Sequence, residues 1–193
     1  SIAFHLGMKA PSIQKQIEDI RQLLSGGAGR QLHLPGQIEF TTTYASGTLG
    51  INSPEDQEQK MSGTYPLNLP GVTIIPGWKV ESRLIPHERW EQQVGETSQN
   101  TFLASLDFET IGTKFYVRGR LQGDRFQPMG MPQEKRLQDF FVDQHIPQRE
   151  RDKIPLLLSS EGIVWVVGHR IADWARITNN STNVIVAEFT QTQ

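Results

Sequence analysis

Three Pro-Gly steps, at residues 35–36, 70–71 and 76–77, force this chain to reverse direction again and again. Proline fixes φ and donates no backbone hydrogen bond, while the glycine after it reaches positive φ at little cost, so a long helix cannot run through such a step. The apolar period around these steps is two. Leu32 and Leu34 precede the first turn, and Ile38, Phe40 and Thr42 alternate with Glu39, Thr41 and Thr43 after it. Leu69-Pro70-Gly71 reuses the Leu34-Pro35-Gly36 turn and opens strands over Val72–Ile75 and Trp78–Ile85, parted by Pro76-Gly77. These are hairpin signals.

One helical period precedes them. Ile13, Ile17, Ile20 and Leu24 follow Pro11-Ser12 at spacings of four, three and four, which puts them on one face of an N-capped helix ended by Ser25-Gly26-Gly27. Residues 52–63 are polar and acidic and predict a mobile loop. Residues 95–100 lack large apolar side chains and predict a linker, giving domains over 1–95 and 101–193. The second domain is expected to place strands at Phe102–Leu106, Lys114–Leu121, Ile163–Val167 and Asn183–Thr190, with short helices at Glu134–Asp143 and Gln148–Lys153 between them. That order predicts an α+β fold: an N-terminal helix and β-hairpins, then a β-sandwich-like domain with a short two-helix insertion.

The longest apolar run, Gly162–Val167, is far short of the ~20 residues a membrane helix needs, so no membrane partner is expected. The absence of cysteine excludes disulfides and thiolate metal sites and fits the cytoplasm. A start at Ser1, with neither Met nor a signal pattern, is what a piece of a longer chain would show.

Candidate chemistry is sparse. Ser25-Gly26-Gly27-Ala28-Gly29-Arg30 resembles a pyrophosphate loop in its first three residues, but it follows a helix, whereas a phosphate-cradling loop leads into one. His5, His33, His87, His145 and His169 never stand at metal-ligand spacing, so no metal is expected. Asp107 and Glu109 share a face of an extended segment and are a conceivable acid/base pair, although a turn or backbone-bonding role is the simpler reading. No catalytic residue is assigned.

Charge is distributed unevenly. Residues 114–153 hold 9 Lys+Arg against 6 Asp+Glu, while residues 1–113 hold 8 against 12. Phosphate binding depends on local cation clusters, so the middle block is the place to look for a nucleic-acid surface. In a strand over 114–121, alternation sends Phe115, Val117 and Leu121 inward and Tyr116, Arg118 and Arg120 outward, an aromatic and two guanidiniums suited to phosphates and bases. Arg125 follows, then Lys135 and Arg136 at the start of the first helix, and Arg149 and Lys153 four apart on the second. Periodicity alone leaves open a solvated, salt-bridged helix pair.

The run Arg118-Gly119-Arg120-Leu121-Gln122-Gly123-Asp124-Arg125-Phe126-Gln127-Pro128-Met129-Gly130-Met131, then Lys135-Arg136-Leu137-Gln138-Asp139-Phe140-Phe141, Ile146-Pro147 and Ile163–Ile171, closely resembles the C-terminal domain of tRNA(Ile)-lysidine synthetases. The likeness covers about residues 102–178, and residues 1–90 resemble the family only loosely. It implies a β-sandwich of unusual topology with a helical insertion, shared with a domain of phenylalanyl-tRNA synthetase. The intact enzyme would use ATP with Mg to adenylate C2 of the wobble cytidine in CAU-anticodon tRNA(Ile), and lysine would then displace AMP. The pyrophosphate-loop domain would lie upstream, leaving this segment without cofactor or chemistry and with the task of holding the tRNA body and acceptor stem. Arg118, Arg120, Arg125, Lys135, Arg136, Arg149 and Lys153 are the expected tRNA contacts, with Asp124 and Asp152 orienting neighbouring arginines. A homodimer is possible. Two other readings compete: a protein-interaction or dimerisation module, and a helix-turn-helix over 134–153, which the short helices and Ile146-Pro147 disfavour, so no DNA partner is expected.

Overall fold

A computed structural model describes residues 10–26, 30–36, 38–42, 47–51, 61–93 and 100–192. Contacts divide the chain into two units, residues 1–58 and 59–193. The expected linker at 95–100 and the loop over 52–63 fall largely outside the described residues, as do His5 and residues 27–29 of the Ser25–Arg30 loop.

In the first unit, helix α1 (Ala10–Leu24) ends where expected: Ser25 N–H donates to Arg21 O at 3.1 Å and Gly26 N–H to Leu23 O at 3.1 Å. Its stripe is only partly covered, with Ile20 half-buried and Ile17 and Leu24 exposed. Strands β1 (Gln31–Leu34), β2 (Ile38–Thr42) and β3 (Gly47–Ile51) form an antiparallel meander, with Gly36 at φ 84° supplying the first turn.

The second unit begins with β4 (Thr64–Pro66), β5 (Gly71–Ile75) and β6 (Trp78–Pro86). Helix α2 (His87–Gln93), β7 (Leu103–Asp107) and α3 (Phe108–Ile111) follow. Next come β8 (Tyr116–Arg118), β9 (Arg125–Phe126), β10 (Lys135–Arg136), α4 (Leu137–Asp143) and α5 (Gln148–Arg151). Strands β11 (Leu156–Ser159), β12 (Gly162–Val166) and β13 (Arg170–Ile171), a 3-10 turn at Asp173–Ala175, and β14 (Asn183–Gln191) complete it.

Two antiparallel sheets make the sandwich, ordered β13-β12-β11-β8-β4 and β5-β6-β14-β7. Residues opposite one another on neighbouring strands share a face, so register assigns the rows. Tyr65, Val117, Leu157, Trp165 and Ile171 form one row of the five-stranded sheet. Trp165 meets Phe189 of β14 edge-on at 5.4 Å, which turns that row toward the other sheet. The adjacent row holds Thr64, Arg118, Leu156, Val166 and Arg170 on the opposite face. Phe126, Leu137, Phe140 and Phe141 join the same buried cluster as both sheets, so the helical insertion extends the core. Each such fully buried side chain contributes ~2 kcal/mol relative to exposure.

The boundary at 95–100 does not divide these sheets. β14 pairs with β6 from Asn183↔Pro86 to Gln191↔Trp78, and β4 pairs with β8, so residues 61–86 are integral to the C-terminal sandwich. Backbone pairing overrides the composition break. Strand β11 was not expected: Leu156, Leu157 and Leu158 show no alternation because all are buried, as a strand covered on both faces requires.

Candidate nucleic-acid interface

The cations expected on one strand face lie in two different settings. β8 stops at Arg118, and the chain leaves the sheet through Gly119 before the turn at 121–124. Phe115 and Val117 point inward as alternation predicts, whereas Leu121 is 62% exposed. Arg118 faces the side of the sheet that carries Leu156 and Val166. Its guanidinium grips Asp124 with Nη1 on Oδ2 and Nη2 on Oδ1, both at 2.8 Å, and Nη1 also donates to Gly119 O at 2.8 Å. Only 15% of the Arg118 side chain and 11% of Asp124 reach solvent. Arg120 donates through Nε to Asp152 Oδ1 at 2.7 Å and through Nη1 to Gln138 Oε1 at 3.1 Å. These two arginines are clamps: Asp124 and Asp152, expected to orient neighbouring arginines, hold Arg118 and Arg120 from six and 32 residues away in sequence.

The segment from Gly123 to Met131 is held at nearly every residue. Asp124 Oδ2 also accepts from Leu121 N–H at 2.7 Å, and Asp124 O accepts from Leu137 N–H at 2.8 Å, fixing the entry to α4. Phe126 is buried and meets Phe140 edge-on at 5.1 Å. Pro128 bridges to Ala172, Met129 N–H donates to Ile171 O at 2.9 Å, and Gly130 N–H donates to Asp173 Oδ1 at 3.0 Å. Gly123 and Gly130 sit at φ 90° and 82°, so glycine is required there by the backbone and not by space.

Lys135 and Arg136 are not helical. They pair with Phe126 and Arg125 as a two-stranded ribbon, β9–β10. Phe126 and Lys135 share the inner row, where the Lys135 ammonium pairs with Asp143; Arg125 and Arg136 share the outer one. Arg125 donates through Nε to Glu134 Oε2 at 2.8 Å. Arg136 and Arg149 are exposed and form no side-chain hydrogen bond or ion pair among the described residues. Lys153 lies past the end of α5, which stops at Arg151, so it does not continue a helical stripe with Arg149. The sequence reading missed Arg170, an exposed cation on the edge strand β13; its place in the run Gly168-His169-Arg170 was the only available signal.

The pair Asp107 and Glu109 serves the backbone. Asp107 caps α3, accepting from Glu109 N–H at 3.0 Å and Thr110 N–H at 3.4 Å, and its other oxygen accepts from Ser181 Oγ at 2.8 Å. Glu109 accepts from the Thr182 hydroxyl, from Asn183 Nδ2 at 2.9 Å and from both backbone N–H groups. Those donors hold its carboxyl down to about 2. The open hollow lined by both acids also carries Asp173, which the Gly130 amide and Arg176 hold ionised. Among the described residues no group of three or more His, Asp or Glu stands at metal-binding distance, and no helix is long and apolar enough to cross a membrane.

Comparison with known proteins matches residues 115–187 to the family model "TilS substrate C-terminal domain". The chain is 35% identical over 177 residues to a tRNA(Ile)-lysidine synthase of Dehalococcoides mccartyi and 34% identical over 176 residues to one of Caldanaerobacter subterraneus subsp. tengcongensis. Each alignment takes in 91% of this chain and 36% of the relative, so the chain spans about a third of these proteins. A crystal structure of a TilS C-terminal domain superposes with a TM-score of 0.55 at 22% identity, over 68% of this chain and 99% of that one, and shows the same fold.

Proposed function

We propose, from the premise that residues 115–187 belong to the TilS substrate C-terminal domain family, that this chain is the tRNA-gripping C-terminal region of a tRNA(Ile)-lysidine synthetase. The chemistry, in which ATP with Mg activates C2 of the wobble cytidine and lysine displaces AMP, is assigned to sequence outside this chain. The partner is tRNA(Ile) with a CAU anticodon, held by its body and acceptor stem in the cytoplasm.

One observation carries the reading. The cations of the 114–153 block separate into clamped arginines that hold the fold and exposed ones that do not. Arg118 and Arg120 are spent on Asp124 and Asp152. Arg125, Arg136 and Arg149 face solvent, two of them with no internal anion among the described residues. A double-stranded stem is gripped by shape and phosphate contacts, which need exposed guanidiniums on a rigid frame and no catalytic group. Arg125, Arg136 and Arg149 are therefore proposed as phosphate contacts and Arg118 and Arg120 as positioning residues. Lys135 and Lys153, both half-buried, stand at the margin of the surface.

The test is retention of folded tRNA by the purified chain. Affinity should fall steeply with salt, and no lysidine should form when ATP and lysine are added. Preference for duplex DNA over tRNA, or lysidine made by the chain alone, would contradict the proposal.

A further inference from the structure

The outer face of the β9–β10 ribbon carries a conflict of charge. Arg125 and Arg136 stand directly opposite each other. Cross-strand neighbours lie within about 5.5 Å at Cβ, and like charges so placed repel. The inner row cannot relieve it. Phe126 is buried there against Phe140, and Lys135 is engaged by Asp143. Glu134, immediately before β10, reaches Arg125 and accepts from it through a single Nε contact at 2.8 Å. That contact leaves 45% of Arg125 and 55% of Glu134 exposed. Arg136 has no anion among the described residues.

We infer that Glu134 is an internal stand-in for phosphate: its carboxylate occupies Arg125 in the free protein, and an RNA phosphate displaces it to bridge Arg125 and Arg136. The inference rests on the tRNA-binding reading above. The two non-bridging oxygens of a phosphodiester match the planar donor edges of guanidinium and accept from two arginines at once, which one carboxylate bound at Nε does not. The exchange is easy because the displaced pair is solvent-exposed and weak. It is also selective. Isolated anions must compete with a tethered carboxylate, whereas a stem already held at Arg149 presents its phosphate at high effective concentration.

Filter binding of folded tRNA to the full chain tests this with Glu134→Gln, with Arg125→Ala, with both together, and with Glu161→Gln, an exposed carboxylate at the β11–β12 turn, as the control for generic charge. Glu134→Gln should tighten binding roughly three- to tenfold at low salt, more than Glu161→Gln does. In the Arg125→Ala background that gain should shrink to the control's. A gain no larger than the control's, or one that persists without Arg125, overturns the stand-in while leaving tRNA binding intact. No tRNA binding by the unaltered chain overturns both readings. An equal gain for polyglutamate would assign the ribbon to acidic protein surfaces, and so would also refute the inference.

Discussion

Arg118 and Asp124 form a two-point clasp, guanidinium edge to carboxylate edge at 2.8 Å, that joins the end of β8 to the turn leading into the helical insertion. The carboxylate also holds Leu121 N–H, and the Asp124 carbonyl holds Leu137 N–H. One aspartate therefore fixes strand, turn and helix start together. Removing either partner strands a largely buried charge. Arg118→Ala or Asp124→Asn is expected to cost about 3 kcal/mol, against under ~1 kcal/mol for the exposed Arg125→Ala. Urea titration of the three variants would show it; equal, small losses would remove the clasp from the account.

Gly119 lies where β8 leaves its sheet, and a Cβ there would come within 2.6 Å of Met61 O. The carbonyl is backbone and cannot rotate away. Gly119→Ala is expected to destabilise the C-terminal unit by roughly 1–3 kcal/mol, read as a lowered Tm. A Tm unchanged from the parent would mean that residue 61 does not pass beside β8 as described.

Glu109 latches the start of β14, and its donors hold its carboxyl at about 2, below the ordinary 4.5. A depressed carboxylate contributes stability that is fully present above its unfolded pKa and is lost as pH falls through the folded one. Glu109→Gln should therefore be less stable than the parent at pH 7, and the difference should close between about pH 4.5 and 2. Denaturant melts at pH 7 and pH 3 would check it; a constant difference across that range would contradict the latch.

The sandwich itself defines a folding unit different from the one that composition suggests. A chain of residues 101–193 lacks β6, the partner of all nine residues of β14, and lacks β4 and β5 as well. It is expected to be unfolded by circular dichroism, whereas residues 59–193 should melt cooperatively. A folded 101–193 piece would restore a boundary near 95–100.

These differences mark what the sequence conveyed and where it stopped. The hairpin at Pro76-Gly77 was legible because turn chemistry is local: Gly77 sits at φ 76° between β5 and β6. Phe115 and Val117 were legible from alternation, and so was an arginine-orienting role for Asp124 and Asp152, but not which arginines they clasp: Arg118 and Arg120 lie six and 32 residues away in sequence. The ribbon was not. Lys135-Arg136 looks like the first turn of a helix until Leu137 N–H is found on Asp124 O, a contact between segments that no local pattern encodes. Arg118 does lie on the outward face, but its exposure was not legible. Alternation gives the face of a strand but not what covers that face, and here Asp124 folds back over it.

In the proposed division of labour, exposed cations grip tRNA while the clamped ones hold the frame. Its most direct test is the salt dependence of tRNA(Ile) binding by the full chain and by the triple variant Arg125→Ala/Arg136→Ala/Arg149→Ala. The variant is expected to keep the parent Tm and to bind more weakly, with the log–log salt slope shallower by about one unit for each lost phosphate contact. A folded triple variant with the parent's affinity and slope would contradict it.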